Sequence, residues 1–554
     1  MDNTLGLSGV KYEHRTSRAG DPHVHSHVLL ANRQLCADGK ARSLDGVSLY
    51  HEARAAGMLY QAALREELTR ALGVKWGAVT NGQADIVGLD DRGLLEAFST
   101  RTTAIRQWEE KNSLPHNYQL QRVGQKTTRQ VKDVDASVSE LETKWAKHQD
   151  AVARVEQIIA DGDVAESPTA PQVLPTPEAV LAEVITERST FTRADVVEKC
   201  AEMIPVGALT VDEIVEFAEA TATQALESVA LSVTPERARE VDKTQREGSQ
   251  RFTTDVVIEE VNRGIDLATT RTHNAVVAAS IQPVQGVLSP AQAQAMTAVV
   301  SSDFLASVVV APAGAGKTSS LKAARQVWEQ AGRTVVGLAP TGKAADVMVG
   351  EQVAHESSTI ARALYDTQDL SPADVAAKLG WERSTVVVVD EAGMVSTPDV
   401  VRLLEIARAA DARMVLVGDP QQYGAVKARS GMLATLAYEL PDAVELTEVF
   451  RQRDAAERAA SIQLRSGDKE SIKRAGQWYM LNDRLFAGSV TAMLDDALAG
   501  WSADTAAGKD SLLVATTGEQ VQALNAGAQK IRAERGELDL SQARELSTGQ
   551  WLHA

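Results

Sequence analysis

The sequence predicts a multidomain α/β protein, and three observations carry the prediction. Between residues 286 and 450, short β-branched runs ("SVVVAP", "TVVGLAP", "TVVVVDE", "RMVLVGDP") alternate with helical stretches, as a parallel sheet with crossover helices would. Residues 1–125 instead mix an alternating strand, a long helical period and a hairpin, which is an α+β pattern. Pro168, Pro171, Pro175 and Pro177 separate the two as a stiff linker. A chain of 554 residues has room for roughly three or four domains at ~150 residues each.

Composition narrows the class. Hydrophobic residues make up 44% and charged residues 24%, a globular balance. No apolar run approaches the ~18 to 20 residues that a membrane span needs, so membrane insertion is not expected. The first residues, "MDNTLGLSGVKYEHR", do not read as a secretory signal. Cys36 and Cys200 lie far apart in neither metal nor disulfide spacing, which suits a reducing cytoplasm. The net charge of -18 argues against a polyanionic partner only on average. Residues 1–132 hold 18 Lys+Arg against 14 Asp+Glu, a net +4 that leaves -22 for the remainder.

In order along the chain, residues 20–32 alternate and then turn apolar, as a strand does, and 49–73 carry a helical period that ends at Gly73. "VKWGAVTNGQADIVGL" reads as a hairpin turning at Asn81-Gly82. Residues 126–165 are charged and helix-prone, and 178 to 280 read as helices with Thr or Pro starts and acidic first turns. The expected division is 1–125, a helical segment and linker 126–177, a small helical domain 178–285, an α/β domain 286–450 and the start of another at 451–554. There is no tandem repeat of fixed period.

The chemistry-bearing motifs begin with "APAGAGKT" (Ala311 to Thr318), between the strand "SVVV" and the helix "SSLKAARQVWEQ". Small residues including Gly314 and Gly316 let backbone N–H groups wrap a phosphate, Lys317 reaches the β/γ oxygens, and the Thr318 hydroxyl can ligate Mg²⁺. Ala311 stands where the usual pattern has its first glycine. The bland alternative is a glycine-rich turn without nucleotide. "TVVVVDEAGMV" then delivers two carboxylates at a strand end: Asp390 for water-mediated contact with Mg²⁺ and Glu391 for the attacking water. "RMVLVGDPQQ" ends near the same sheet edge, where Gln422 could sense a γ-phosphate; alternatively it is a polar turn.

This set resembles the superfamily-one helicases of the RecD-like type. "LSPAQAQA" resembles the segment whose glutamine, here Gln292, reads adenine in that family. "LAPTGKAA" resembles the next motif, in which Thr341, Gly342 and Lys343 would meet single-stranded DNA or brace the sheet. "ELTEVFRQ" resembles the motif that supplies Arg451 to the γ-phosphate. The resemblance implies RecA-like P-loop domains, ATP with Mg²⁺, and 5′ to 3′ translocation on single-stranded DNA.

Four of the ten histidines, His14, His23, His25 and His27, lie within fourteen residues. On a strand, His25 and His27 share a face about 7 Å apart, whereas His23 and His27 are about 14 Å apart, and His14 could join from a neighbouring strand. Solvated surface histidines, or a zinc site of His23, His25 and His27, are the alternatives. With "EHRTSR" ahead of it, the spacing resembles the three-histidine metal motif of conjugative relaxases of the TrwC/TraI type. There His14, His25 and His27 would hold a divalent cation (Mg, Mn or Zn) that polarises a scissile phosphate. "SLYHEARAAGMLYQAALREELTRALGVKW" and "FSTRTTAI" resemble the segments that follow in those α+β, HUH-like domains, and "REGSQRFTTDVVIEEVNRGI" resembles the helical domain before their motor.

Together these features resemble the bifunctional relaxase-helicases of bacterial mobile elements, whose partners are origin-of-transfer DNA and the type IV secretion and coupling machinery. The family places its nucleophilic tyrosine well upstream of the histidines, and Tyr12 does not suit that role. Further motifs of the second RecA-like domain are not seen before Ala554. The expectation is therefore a chain truncated at both ends, with DNA-stimulated ATPase chemistry but doubtful nicking. A non-catalytic ATP- or DNA-binding remnant, and an unrelated metal protein fused to a repair-type motor, are the competing readings.

Overall fold

The computed structural model describes residues 6–17, 20–44, 46–80, 82–89, 98, 143, 145, 146, 149–161, 173–234, 249–276, 281, 282, 287–425, 428–538, 543–545 and 551–553. Asn81, most of "FSTRTTAI", most of 126–148, and Pro168 and Pro171 of the linker lie outside them.

The chain opens on an antiparallel hairpin of β1 (Gly9–Thr16) and β2 (Pro22–Leu30), registered Tyr12 to His27 and His14 to His25. Opposed residues of an antiparallel pair share a face. His14, His25 and His27 therefore project together, and Tyr12 stands beside them. A second hairpin pairs β3 (Arg33–Leu35) with β4 (Ala41–Ser43). Helix α1 (Gly46–Leu72) stops where Gly73 takes φ +67° and its N–H bonds the Thr69 carbonyl. Bridges Trp76 to Ile86 and Thr80 to Gln83 form the hairpin read around residues 81–82. Helix α2 (Gln149–Asp161) follows.

Helices α3 (Pro177–Glu187), α4 (Arg193–Met203) and α5 (Val211–Ser228) start at Thr176, Thr192 and Thr210. Thr192 and Asp195 form a reciprocal capping box, which satisfies N–H groups that a helix start leaves open. Their core of Val180, Leu181, Val184, Phe191, Val197 and Ala218 also takes in Ala55 of α1. A short ladder of β5 (Ala230–Ser232) and β6 (Phe252–Thr254) leads to α6 (Asp255–Ala268).

Next come α7 (Pro290–Ser301), β7 (Ala306–Val310), α8 (Lys317–Gln330), β8 (Thr334–Ala339), α9 (Gly342–Gly350), β9 (Glu356–Thr359), α10 (Ile360–Ala363), α11 (Pro372–Leu379), β10 (Thr385–Val389), α12 (Thr397–Ala409), β11 (Arg413–Gly418), α13 (Met432–Glu439) and β12 (Val444–Glu445). The six strands form one parallel sheet in the order β12, β7, β11, β10, β8, β9. Its centre is buried on both faces, which is why the sequence shows unbroken apolar runs. Val387 and Val389, with Met414 and Leu416, pack under α12 and α13. Val386 and Val388, with Val415 and Val417, pack under α7 and α8 beside Trp328. Each such side chain contributes about 1.5 to 3 kcal/mol. At the foot of β11, buried Arg413 bonds the carbonyls of Val299 in the last turn of α7 and of Ser302 just after it, and the Ser307 hydroxyl, and burial pushes its pKa down to about 10.

Beyond the sheet are α14 (Ala455–Arg465), α15 (Lys469–Leu481), α16 (Val490–Ala506), α17 (Gly518–Glu534) and the pair β13 (Ala543–Glu545) and β14 (Trp551–His553). In the extended stretch between α16 and α17, Leu512 is 85% and Val514 81% exposed. That stretch pairs with no strand among the described residues.

Candidate functional site

The carboxyl ends of β7, β10 and β11 point the same way, so the loops that follow them converge. After β7, the phosphate loop reaches Gly314 and Gly316 at φ +83° and +73°, a region that suits glycine. Space makes the same demand. A Cβ on Gly316 would lie 2.3 Å from Gln292 Nε2, and one on Gly314 would lie 2.5 Å from Arg451 Cβ. Lys317 and Thr318, both half-buried, occupy the first turn of α8.

Lys317 Nζ lies 2.6 Å from Asp390 Oδ1 and 2.8 Å from Glu391 Oε1. Burial works against the ammonium, but the Asp390 and Glu391 carboxylates more than offset it and raise the Lys317 pKa above the ordinary lysine value. Glu391 itself stands at φ +50°, left-handed backbone that costs a residue with a Cβ about 1 to 2 kcal/mol. Strain of this kind persists where the surroundings over-determine it, often at functional sites. Gln422 and Arg451, both exposed, complete a cleft of about 590 Å³ with Pro312, Gly314, Lys317, Thr318, Glu391 and Phe450. Phe450 N–H donates to the Gly314 carbonyl at 2.8 Å and lays the Arg451 segment over the loop.

The structure thus brings Gly314, Gly316, Lys317, Thr318, Glu391, Gln422 and Arg451 to one cleft, with Asp390 paired to Lys317 at its edge. Gln292 sits differently from a residue free to read a base. It is buried, its Oε1 accepts from Ser289 N–H at 2.8 Å, and its Nε2 donates to the Ala315 carbonyl at 2.8 Å. Both polar atoms are engaged in capping α7 and bracing the phosphate loop. Thr341 is the N-cap of α9, and Gly342 and Lys343 are exposed beside it. Sequence reasoning missed Asp419 and Arg465. The "GDP" after a buried strand signalled Asp419, but no local pattern points to a partner 46 residues away.

The histidine face is a second, separate constellation. One ring nitrogen from each of His14, His25 and His27 lies within 4.8 Å of the others. His25 Nε2 and His27 Nε2 are 3.2 Å apart. Ligands at the usual metal–nitrogen distance around a tetrahedral ion sit about 3.3 Å apart, so the donor set fits a divalent cation. His25 Nδ1 lies 2.9 Å from the His23 carbonyl oxygen, and a proton held there leaves Nε2 as the ligand. The His23 ring stacks on His25 and lies outside the converging trio.

Residues 1–152 match the TrwC relaxase family and residues 287–489 match the AAA domain family. A probable conjugal transfer protein TraA of Sinorhizobium fredii is 34% identical over 253 residues, covering 46% of this chain and 22% of that protein. The conjugal transfer protein TraA of Agrobacterium fabrum is 32% identical over 259 residues, 45% of this chain and 22% of that protein. The ATP-dependent RecD2 DNA helicase of Deinococcus radiodurans is 36% identical over 145 residues, 25% of this chain and 18% of that protein. The matched stretch of this chain thus spans 22% of the length of either TraA relative. A solved structure of the conjugative relaxase TrwC with oriT DNA, metal-free, is 27% identical over 26% of this chain and 52% of that one, with a TM-score of 0.23. Among the described residues no helix is long and apolar enough to cross a membrane. A segment that matches the TrwC relaxase family and one that matches the AAA domain family thus lie on one polypeptide, and in this the chain resembles the conjugative relaxase-helicases of the TrwC/TraI type.

Proposed function

We propose that the chain binds and hydrolyses ATP in response to single-stranded DNA, as a motor of the 5′ to 3′ type, and holds a divalent cation on its relaxase segment. The observation that carries this reading is the cleft, where a phosphate loop, the Glu391 carboxylate, a glutamine and an arginine from four separate loops face one space, with Asp390 paired to Lys317 at its edge. ATP would supply the phosphoryl bond whose hydrolysis drives movement. Lys317 and the backbone of Gly314 and Gly316 would bind the β- and γ-phosphates, with Thr318 and Asp390 toward Mg²⁺. For that, Lys317 must release Asp390 and Glu391, which frees Glu391 to orient water. Gln422 and Arg451 would meet the γ-phosphate, and Gln292 would act by holding the loop. The named relatives, a DNA helicase and conjugal transfer proteins, support DNA as the partner.

His14, His25 and His27 would hold the cation, which supplies Lewis acidity toward a phosphodiester when bound. His25 is oriented for this by the His23 carbonyl. In domain terms, we read 1–125 as relaxase, 126–177 as helix and linker, 178–285 as the small helical domain, 286–450 as the RecA-like ATPase and 451–554 as the beginning of the next lobe. Transfer-origin DNA, a secretion apparatus and a cytoplasmic location are inferred from the family alone. Steady-state ATP hydrolysis with and without single-stranded DNA, beside Lys317→Ala, tests the reading. DNA-stimulated turnover that the substitution abolishes supports a motor. Turnover equal to that of the variant would leave only a binding protein.

A further inference from the structure

The two segments that close the cleft on the side opposite Lys317 are far apart in sequence. One is the loop after β11, with Gln422; the other follows β12, with Phe450 and Arg451. A single arginine fastens them together. Arg465, the last residue of α14, donates from Nε to Asp419 Oδ2 at 3.0 Å and from Nη2 to Asp419 Oδ1 at 3.1 Å. Its Nη1 reaches Glu445 Oε1, on β12, at 3.3 Å.

Asp419 is not a casual surface partner, because its side chain is only 3% exposed. Its Oδ1 also accepts from Gln421 N–H at 3.0 Å, and its carbonyl accepts from Gln422 N–H at 3.1 Å. The carboxylate that Arg465 grips therefore sets the turn that presents Gln422. At its other end, α14 begins at Asp454, which caps the Glu457 N–H at 2.7 Å, three residues beyond Arg451. Arg458 of the same helix donates from Nη2 to the Gln452 carbonyl at 2.8 Å. Gln422, Asp419, Arg465, α14 and Arg451 are thus linked in one continuous chain of contacts along one side of the cleft.

We propose that Arg465 is a positioning residue that joins Gln422 and Arg451 into one γ-phosphate-sensing unit, so that neither can shift without the other. The proposal rests on reading the cleft as an ATP site. It depends on the planar fork of the guanidinium, which can hold both oxygens of Asp419 at once; an ammonium keeps the charge but not the two-point hold. Arg465 lies off the cleft lining.

The test compares Arg465→Lys and Arg465→Gln with the unsubstituted chain. It measures affinity for Mg-ADP and for Mg-ATPγS, ATP turnover, thermal stability, and amide exchange in the segments 420–424 and 449–453. The expected result is ADP affinity within about twofold of the parent, with the preference for the γ-phosphate analogue and kcat both reduced about tenfold or more, in both variants. Amide exchange should quicken in the two segments together. Retention of kcat and of the γ-phosphate preference in Arg465→Lys overturns the proposal. So does parallel loss of ADP affinity and thermal stability in both variants, which marks a purely structural contact. If the parent binds no nucleotide, the reading of the cleft fails instead. The chain of contacts is then judged by exchange alone, and quickening in only one segment refutes it.

Discussion

Lys317 and Asp390 meet across the mouth of the cleft, Nζ to Oδ1 at 2.6 Å, with Glu391 completing the pair at 2.8 Å. On the proposed function, a bound Mg-nucleotide would compete with these contacts, with Lys317 turning to its phosphates and Asp390 toward the metal. Nucleotide should therefore stabilise the parent chain by mass action, about 2.7 kcal/mol at a hundredfold excess over Kd. Lys317→Ala should show no such stabilisation. Thermal unfolding with and without Mg-ADP checks this.

Glu391 makes a cleaner prediction about backbone. At an ordinary position Ala is at least as stable as Gly, but at φ +50° the order reverses. Glu391→Gly should be more stable than Glu391→Ala by about 1 kcal/mol, and both should lack turnover. Chemical denaturation of the two variants measures the difference. Equal stabilities would mean that the left-handed backbone is not retained in solution.

The histidine face predicts a selective pattern. Removing His14, His25 or His27 should each weaken divalent-metal binding by about a hundredfold, whereas His23→Ala, which leaves the backbone carbonyl in place, should weaken it about tenfold at most. Calorimetric titration with Mn²⁺ or Zn²⁺ distinguishes the cases. A large loss in His23→Ala with His14→Ala spared would favour the His23, His25, His27 arrangement, and equal losses in all four variants would mean no defined site.

A fourth prediction concerns the loop beyond Gln422. Arg429 is buried, donates twice to Glu260 of α6 at 2.8 and 2.7 Å, and also bonds the Ile185 carbonyl at the end of α3. Glu260→Ala leaves that guanidinium without its carboxylate and should cost about 3 kcal/mol in urea unfolding. A loss below about 1 kcal/mol, the range of exposed pairs, would show the contact to be solvated.

Much of this was legible in the sequence because it is local. "TVVVVDE" carries both the strand and its acidic end, and the alternation of Val386 to Val389 between two cores follows from the pleat. The pairing of His25 with His27 was legible because alternate residues of a strand share a face, and the hairpin register then sets His14 opposite His25. What remained hidden depends on contacts between distant segments. Gln292 looks like a base reader in sequence, yet a capping box and the Ala315 carbonyl take up both ends of its amide. Arg413 opens the run "RMVLVGDP" with a charge, and nothing local shows that it is buried under the end of α7. Arg465 sits on an amphipathic helix like any surface arginine until Asp419 arrives from another loop.

Helix α1 belongs to the relaxase segment in sequence, but its packing places it in the helical unit before the motor. Ala55 shares a core with Val180 and Val197, Ala62 shares one with Ile204 and Ile214, and Arg54 pairs with Glu198 at 2.7 Å. Helix α1 and the helical unit are thus joined by a common interior as well as strung on a linker. Cutting the backbone within 162–172 should leave them associated, and lengthening that stretch should not change the distance between them. Any ligand that engages both at once would meet them at a fixed separation.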